Sequence, residues 1–388
     1  MVISRALPAA IALSVTQVIG WATAFNALAL LAQPIAVELA MPMPVVLGGS
    51  SVFLVAMALV SRLLVPVYAR VGAGPVLVAG SVAASMGFAA LALSAGWLGY
   101  GLGWVMLGAA AAAMLTAPAH AVMVQLLGRD AKRWIAGVML VTGLAGSFGL
   151  PATALLLEWT DWRGVFWVFA AAHLAVCAPL HLWVSRLAGP PVASPASPDT
   201  QISSDDGRLF HRLVTAVSLI GFVTWGFAIV IIELLQQTGL SRTEATAAAA
   251  LIGVATVAAR AAEFLFARSL AASQSAIWAT AGLCLALILL GSGAPWAFVA
   301  LFGAASGIMS VARATLPLEL FAPGDYAAMA GRLALPMTLT FAAAPLVFGV
   351  LLHQAGAQAA LALALLAGVA ALLALISLRR MAQEKGRA

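Results

Sequence analysis

The chain has 388 residues, of which 64% are apolar and only 8% are charged, and its mean hydropathy is +1.08. A water-soluble domain carries about 25% charged residues to hydrate its surface, so this composition excludes one and indicates an integral membrane protein. The net charge of +6 comes from basic residues scattered in twos and threes, which excludes a continuous nucleic-acid-binding surface.

Apolar stretches long enough to cross a bilayer, about 20 residues each, recur along the whole chain. Turn signals such as "MPMP" at 41–44 and "GAGP" at 72–75 separate them. The predicted fold class is therefore an all-α integral membrane protein with twelve transmembrane helices, called spans 1 to 12 below. They are placed at 9–38, 44–67, 75–94, 97–127, 135–157, 164–185, 212–237, 245–267, 274–293, 296–321, 332–352 and 358–378.

One long segment, residues 186–211, is rich in Pro, Ser and Asp and is predicted to be a solvated linker. It divides the spans six from six. The predicted domains are an N-terminal six-helix bundle at 1–185, this cytoplasmic linker, and a C-terminal six-helix bundle at 212–388.

The distribution of Arg and Lys predicts the orientation in the membrane. With the N-terminus in the cytoplasm, fourteen basic residues fall at the cytoplasmic ends and loops, and only Arg163 and Arg242 fall on the other side. Because basic residues favour the cytoplasmic side, both termini are predicted to be cytoplasmic, in a bacterial inner membrane.

The two halves also repeat. The stretch "SRLLVPVYAR" at 61–70 aligns without gaps on "ARAAEFLFAR" at 259–268, and Gly108 and Asp130 fall on Gly303 and Asp325 at a constant offset. Span 2 therefore matches span 8 and span 4 matches span 10. Two pseudo-symmetric six-helix repeats are typical of transporters that work by alternating access.

Three short stretches resemble the major facilitator superfamily, and within it the monocarboxylate and oxalate–formate branch and its bacterial relatives. They are "GWATAF" at 20–25, the glycine-rich "GVMLVTGLAGSFGLP" at 137–151 and "DWRGVF" at 161–166. The resemblance implies a transporter in which spans 1, 4, 7 and 10 line a central cavity.

The loop between spans 2 and 3 departs from the pattern of that family. Val65, Ala69 and Gly74 stand where the family has Gly, Asp and Arg, and Arg70 and Gly72 remain. We expect Arg70 and Gly72, together with Arg62, to act in cytoplasmic gating, with a weaker or different latch.

Ionisable side chains inside spans are costly, about 2.5–3.5 kcal/mol or more each, and therefore indicate function. On the cavity-lining spans, Arg313 and His120 are expected to bind an anionic substrate, helped by Gln17 and Asn26 of span 1. Three alternatives remain for Arg313, namely reaching the cytoplasmic surface, pairing with Glu319 or acting in gating. His120, like His173, can instead be a hydrogen-bonded structural histidine.

Span 8 carries Arg260 and Glu263, three residues apart and so on one helical face. The monocarboxylate branch has an acid and an arginine in this span that handle proton and substrate, although here the order is reversed and the spacing is shorter. The resemblance therefore implies that Arg260 holds the anion and Glu263 takes the proton. Glu233 in span 7 is a second candidate for proton coupling. The alternatives are a structural ion pair for the first two residues and a solvated helix-end acid for Glu233.

These features predict a monomeric secondary transporter that moves a small organic anion with protons across the bilayer. The alternatives are a proton-driven exporter of drugs or amphipathic metabolites and, with less support, a soft-metal importer suggested by His120, Met123 and Met114. We predict no enzyme activity, cofactor, bound metal or nucleic-acid partner. Cys177 and Cys284 are expected to be buried and unpaired.

Overall fold

The computed structural model describes residues 2–127, 131–188, 204–266, 271–320 and 326–385. The chain divides into two compact units, Met1–Ser194 and Pro195–Ala388. Residues 189–203 of the predicted linker lie outside the described residues, as do Asp130 and Asp325 of the predicted repeat.

The described part of the first unit contains ten α-helices and two π-helical turns, Ala22–Asn26 and His173–Cys177. The helices are α1 Val2–Trp21, α2 Leu28–Glu38, α3 Met43–Val71, α4 Ala73–Ala92, α5 Trp97–Met114, α6 Thr116–Leu127, α7 Ala131–Thr142, α8 Ala145–Trp159, α9 Trp162–Ala172 and α10 Ala178–Ala188.

The described part of the second unit contains five longer helices. They are α11 Ser204–Gln237, α12 Arg242–Phe266, α13 Ala272–Gly291, α14 Pro295–Leu320 and α15 Tyr326–Lys385. Within α15, Gly356 has a non-helical backbone with φ of 79°, which divides this helix into two arms.

By length and composition, eleven stretches of the described residues can cross a membrane. The last of them, Pro336–Glu384, has 49 residues and contains the break at Gly356. Because that break falls between predicted spans 11 and 12, the described residues accommodate all twelve predicted spans. The predicted all-α membrane fold is confirmed.

Helix α4 forms the centre of the first unit, where it packs against α5, α9 and α10. Its inward face is a helical stripe of fully buried side chains, namely Leu77, Ala84, Phe88 and Leu91. In the second unit α11 packs along α15, and α14 packs against α12 and α13. Cys177 and Cys284 are buried and unpaired, as predicted.

The aligned glycines Gly108 and Gly303 have the same role in their two units. A Cβ at Gly108 would overlap the carbonyl of Phe53 in α3, and a Cβ at Gly303 would overlap the carbonyl of Ile252 in α12. Both therefore allow span 4 or 10 to touch the backbone of span 2 or 8, the close approach that small residues permit in membranes.

Candidate functional site

In the first unit, spans 1 and 4 both depart from α-helical geometry where they meet. Span 1 contains the π-helical turn Ala22–Asn26, and span 4 is interrupted at Leu115, between α5 and α6. A Cβ on Gly20 would overlap the Leu115 side chain, and the indole Nε1 of Trp21 donates to Thr116 Oγ1 at 3.3 Å. Interrupted membrane helices and π-helical turns are frequent at binding sites.

Gln17 compensates for the interruption of span 4. Pro118 has no N–H, so the carbonyl of Met114 lacks its usual helical donor four residues later. The Nε2 of Gln17 donates to that carbonyl at 2.9 Å. The Oε1 of the same amide is buried and has no hydrogen-bond partner among the described residues.

The π-helical turn of span 1 is packed tightly against α8. Asn26 donates from Nδ2 to the carbonyl of Trp21 at 3.0 Å. Its Oδ1 lies 3.5 Å from where a Cβ on Gly146 would be, and a Cβ on Gly149 would lie 2.6 Å from the Cβ of Ala22. The glycine-rich stretch of span 5 therefore gives this turn its space, and Asn26 lies beside it.

Two fully buried histidines tie span 6 to span 1. His173 Nε2 lies 3.0 Å from Thr23 Oγ1. His181 lies between two hydroxyls, 2.9 Å from Thr16 Oγ1 and 2.7 Å from Ser81 Oγ. These contacts fit the structural interpretation of His173, while His120 is half-buried on α6, five residues past Leu115.

In the second unit, Arg313 lies over an aromatic ring. Its Cζ is 5.8 Å from the centroid of Phe341, which stacks on Trp225 at 5.6 Å with 11° between the ring planes. These side chains come from α14, α15 and α11. Trp225 and Phe341 were not predicted from the sequence, because aromatic residues in apolar runs are ordinary packing. The Phe341 ring lies against α11 at Gly221, where a Cβ would overlap it.

Arg260 and Glu263 of span 8 make contacts that lead to two different helices. Glu263 lies near the Ser275 hydroxyl of α13, and Arg260 lies within electrostatic range of Arg313 in α14. The i, i+3 spacing places Arg260 and Glu263 on one broad face of α12, and that face reaches residues of both α13 and α14. Oε2 of Glu263 is buried without a hydrogen-bond partner in the described part of the chain.

Glu319 contacts the start of α13. Its carboxylate accepts hydrogen bonds from Ser273 N at 2.9 Å and from Ser273 Oγ at 2.5 Å. Glu319 therefore supplies the acceptor for a backbone N–H in the first turn of α13. The N-cap residue of that helix, Ala271, has no side-chain oxygen that could accept this hydrogen bond. The described residues show no ion pair between Arg313 and Glu319.

Glu233 lies near the end of α11. Its Oε1 accepts from Gln237 Nε2 at 3.3 Å, and it lies within electrostatic range of His353 in α15. Gln237 also donates to the Leu352 carbonyl at 3.4 Å, just before the break at Gly356. Glu233 is thus part of a polar group where α11 and α15 both reach a helix end.

The residues predicted to act in gating lie along the end of α3 and its turn into α4. Arg62 and Arg70 are exposed on α3. Gly72 has φ of 85°, a conformation that favours glycine, and its N–H donates to the Tyr68 carbonyl at 3.0 Å. The turn is therefore built by Gly72.

Comparisons with known proteins agree with this architecture. The family profile of the Major Facilitator Superfamily matches residues 13–302. Human monocarboxylate transporter 11 is 34% identical over 158 residues, a match that covers 39% of this chain and only 33% of that protein.

Solved structures of transporters share the fold. A bacterial homolog of the human lysosomal transporter Spinster, in an inward-facing and unoccupied conformation, has a TM-score of 0.69 at 16% identity, covering 97% of this chain and 96% of its own. The human organic anion transporter MFSD10 has a TM-score of 0.69 at 18% identity, covering 95% and 99%. The nucleoside transporter NupG has a TM-score of 0.76 at 11% identity, covering 97% and 99%. Because the profile spans most of the chain, this chain belongs to the Major Facilitator Superfamily and is a multi-pass membrane transporter, not an enzyme.

Proposed function

We propose that this secondary transporter moves a small organic carboxylate, coupled to protons, by alternating access. The observation that carries the proposal is the placement of Arg313, half-buried in an apolar helix bundle, over the ring of Phe341 and within electrostatic range of Arg260. A guanidinium in such a place is costly, and a carboxylate ligand offsets that cost through two parallel hydrogen bonds.

Two acids of α12 and α14 lie against α13. Glu263 lies near the Ser275 hydroxyl, and Glu319 accepts a hydrogen bond from the Ser273 hydroxyl. Arg260 and Arg313 place two positive charges within electrostatic range of each other on α12 and α14, and an anionic substrate would stabilise that pair better than a cationic drug would. The likeness to MFSD10, an organic anion transporter, and the match to monocarboxylate transporter 11 point the same way.

The remaining roles follow from this assignment. We assign substrate contact to Arg313, Arg260 and His120, with Gln17 and Asn26 shaping the interrupted region of spans 1 and 4. Glu263 is the first choice for the coupling proton, because one of its oxygens is buried without a partner among the described residues. Glu233 is the second choice.

For the cytoplasmic side we assign gating to Arg62, Arg70 and Gly72. The asymmetry of Arg and Lys supports cytoplasmic termini, a cytoplasmic linker at 186–211 between six-helix bundles at 1–185 and 212–388, and a bacterial inner-membrane location. We propose that the protein works as a monomer.

The proposal is tested with purified protein in proteoliposomes. Uptake of labelled formate, acetate, pyruvate, L-lactate, benzoate, oxalate and succinate is measured with and without an inward proton gradient. We expect at least one of these acids to accumulate against its own gradient, and a protonophore to abolish the accumulation. Failure to move any carboxylate, together with proton-driven transport of a cationic dye, would instead establish the drug-exporter alternative.

A further inference from the structure

The Arg313 guanidinium lies over one of two stacked aromatic rings. Its Cζ lies 5.8 Å from the centroid of the Phe341 ring, within the range in which a cation is attracted to an aromatic face. The Phe341 ring stacks nearly parallel on Trp225, with 5.6 Å between centroids. Three helices, α11, α14 and α15, therefore contribute to one stack.

Packing fixes the Phe341 ring in place. The residue is only 6% exposed, and the ring lies directly on the backbone of α11 at Gly221, where a Cβ would overlap it. A ring confined between Gly221 and Trp225 cannot change rotamer without moving a helix. It is a rigid surface on which a flexible arginine side chain can be held.

Contact with an aromatic ring leaves the N–H donors of a guanidinium available. The attraction of the positive charge to a ring consumes none of its five donors, whereas a bidentate carboxylate uses two of them. An acidic partner would occupy the donors and compete with a ligand, but an aromatic partner stabilises the charge without consuming them.

From this geometry we propose that Phe341, supported by Trp225, is a positioning residue that orients the Arg313 guanidinium for a substrate carboxylate. The functional part of this inference rests on the proposed function above. The structural part, that the ring holds the guanidinium, stands independently and is measured separately.

The first experiment observes the arginine directly. NMR spectra of the detergent-solubilised protein labelled with ¹⁵N-arginine are recorded, and the Arg313 Nε–H signal is assigned by its loss in Arg313→Lys. We expect ring currents to displace this signal, and Phe341→Leu to return it to the position of a solvated arginine, while Phe341→Tyr keeps it displaced. An unchanged signal in Phe341→Leu overturns the proposal, whether or not any carboxylate is transported.

The second experiment measures the consequence for transport. Phenylalanine analogues with one, two and three fluorine atoms are incorporated at position 341, which weakens the attraction to a cation with little change in shape. With pyruvate as the probe, or L-lactate if pyruvate is not moved, we expect KM to rise stepwise by about 3- to 10-fold in total. The value of kcat should stay unchanged.

Phe348 provides the matched control. It lies on α15 two turns beyond Phe341, is fully buried, and packs against the aromatic rings of Phe222 and Phe227. Fluorination there should leave KM unchanged. An equal rise in KM at both positions, or none at position 341, overturns the positioning role. If the unmodified protein moves no carboxylate at all, the proposed function fails, and the NMR result alone decides whether Phe341 holds Arg313.

Discussion

The carboxylate of Glu38 and the guanidinium of Arg163 form an ion pair of 2.9 Å that joins the end of span 1 to the start of span 6. Arg163 also donates from Nη1 to the carbonyls of Ala92 and Ser94, at 2.5 and 2.8 Å, which adds the end of span 3. The neighbouring Trp162 donates from Nε1 to the other oxygen of Glu38 at 2.5 Å.

These contacts explain the "DWRGVF" stretch and lead to the first prediction. Arg163→Lys keeps the charge but cannot reach one carboxylate and two carbonyls at once, because lysine lacks the planar fork. We expect the free energy of unfolding to fall by about 1–2 kcal/mol. The loss is no larger because both side chains are partly exposed, and solvent weakens an ion pair between exposed groups. A thiol-reactive dye that labels the buried Cys177 and Cys284 on heating measures the change.

The control is Arg186→Lys, at the exposed end of α10. Equal melting temperatures for Arg163→Lys and this control would show that the hydrogen bonds of Arg163 contribute no stability beyond that of its positive charge.

The second prediction concerns Gln17, and its test is a double-mutant cycle. Gln17→Leu removes the donor to the Met114 carbonyl and leaves a buried acceptor unsatisfied, at a cost of about 1–3 kcal/mol. Pro118→Ala restores a backbone N–H four residues after Met114. The double variant should therefore recover most of the stability lost in Gln17→Leu, by thermal melting. Strictly additive effects would mean that the two residues do not share this carbonyl.

The third prediction concerns Arg313. Arg313→Lys keeps the positive charge yet should lose most carboxylate transport, because a point charge cannot reproduce the two-pronged contact with a carboxylate. Initial rates in proteoliposomes, normalised to the amount of folded protein, provide the measurement, and Arg186→Lys is again the control. Transport by the lysine variant at the wild-type rate would remove Arg313 from the substrate site.

The fourth prediction separates proton coupling from a structural role for Glu263. If Glu263 carries the coupling proton, Glu263→Gln abolishes uphill uptake driven by an inward proton gradient. Exchange of labelled for unlabelled substrate should persist, since exchange needs no net proton movement. Glutamine has nearly the same size and shape as glutamate and fits in the same place near the Ser275 hydroxyl, so we expect the variant to fold.

Two other outcomes contradict that assignment. Joint loss of expression and exchange would indicate that Glu263 is needed for the fold. Full gradient-driven uptake by a well-expressed variant would move the search for the coupling proton to Glu233 or His120.

The fifth prediction concerns gating. Arg62 is exposed on α3 and aligns with Arg260 of the other repeat, but position 65 holds valine where the second half has Glu263. Arg62→Ala should therefore slow turnover more than it weakens substrate binding, as measured by separate determination of kcat and of substrate affinity. Weaker binding with an unchanged rate would reverse the assignment.

Hydropathy and turn signals were sufficient to place all the spans, because a membrane helix needs a long apolar run that local sequence reveals. Even the short gap between spans 11 and 12 coincides with the break at Gly356. The contact between Glu263 and Ser275 could not be predicted in this way. Helical spacing shows which residues share a face, but not which neighbouring helix that face meets.

The aromatic support of Arg313 was hidden for a different reason. Trp225 and Phe341 lie in apolar runs where an aromatic residue is ordinary packing, and only their stacking, 116 positions apart, distinguishes them. The π-helical turns had no local signal either, since their backbone depends on contacts such as that between Ala22 and Gly149.

The two histidine contacts between spans 1 and 6 have a mechanical consequence. Thr16 and Thr23 lie two turns apart, about 10 Å along the helix, and bond to His181 and His173 in antiparallel order. Span 1 cannot slide or rotate against span 6 without breaking both contacts in an apolar interior. Spin labels attached to these two spans should therefore keep a single sharp distance throughout the transport cycle. Spans 1 and 6 then provide a fixed reference for measuring the movement of other helices.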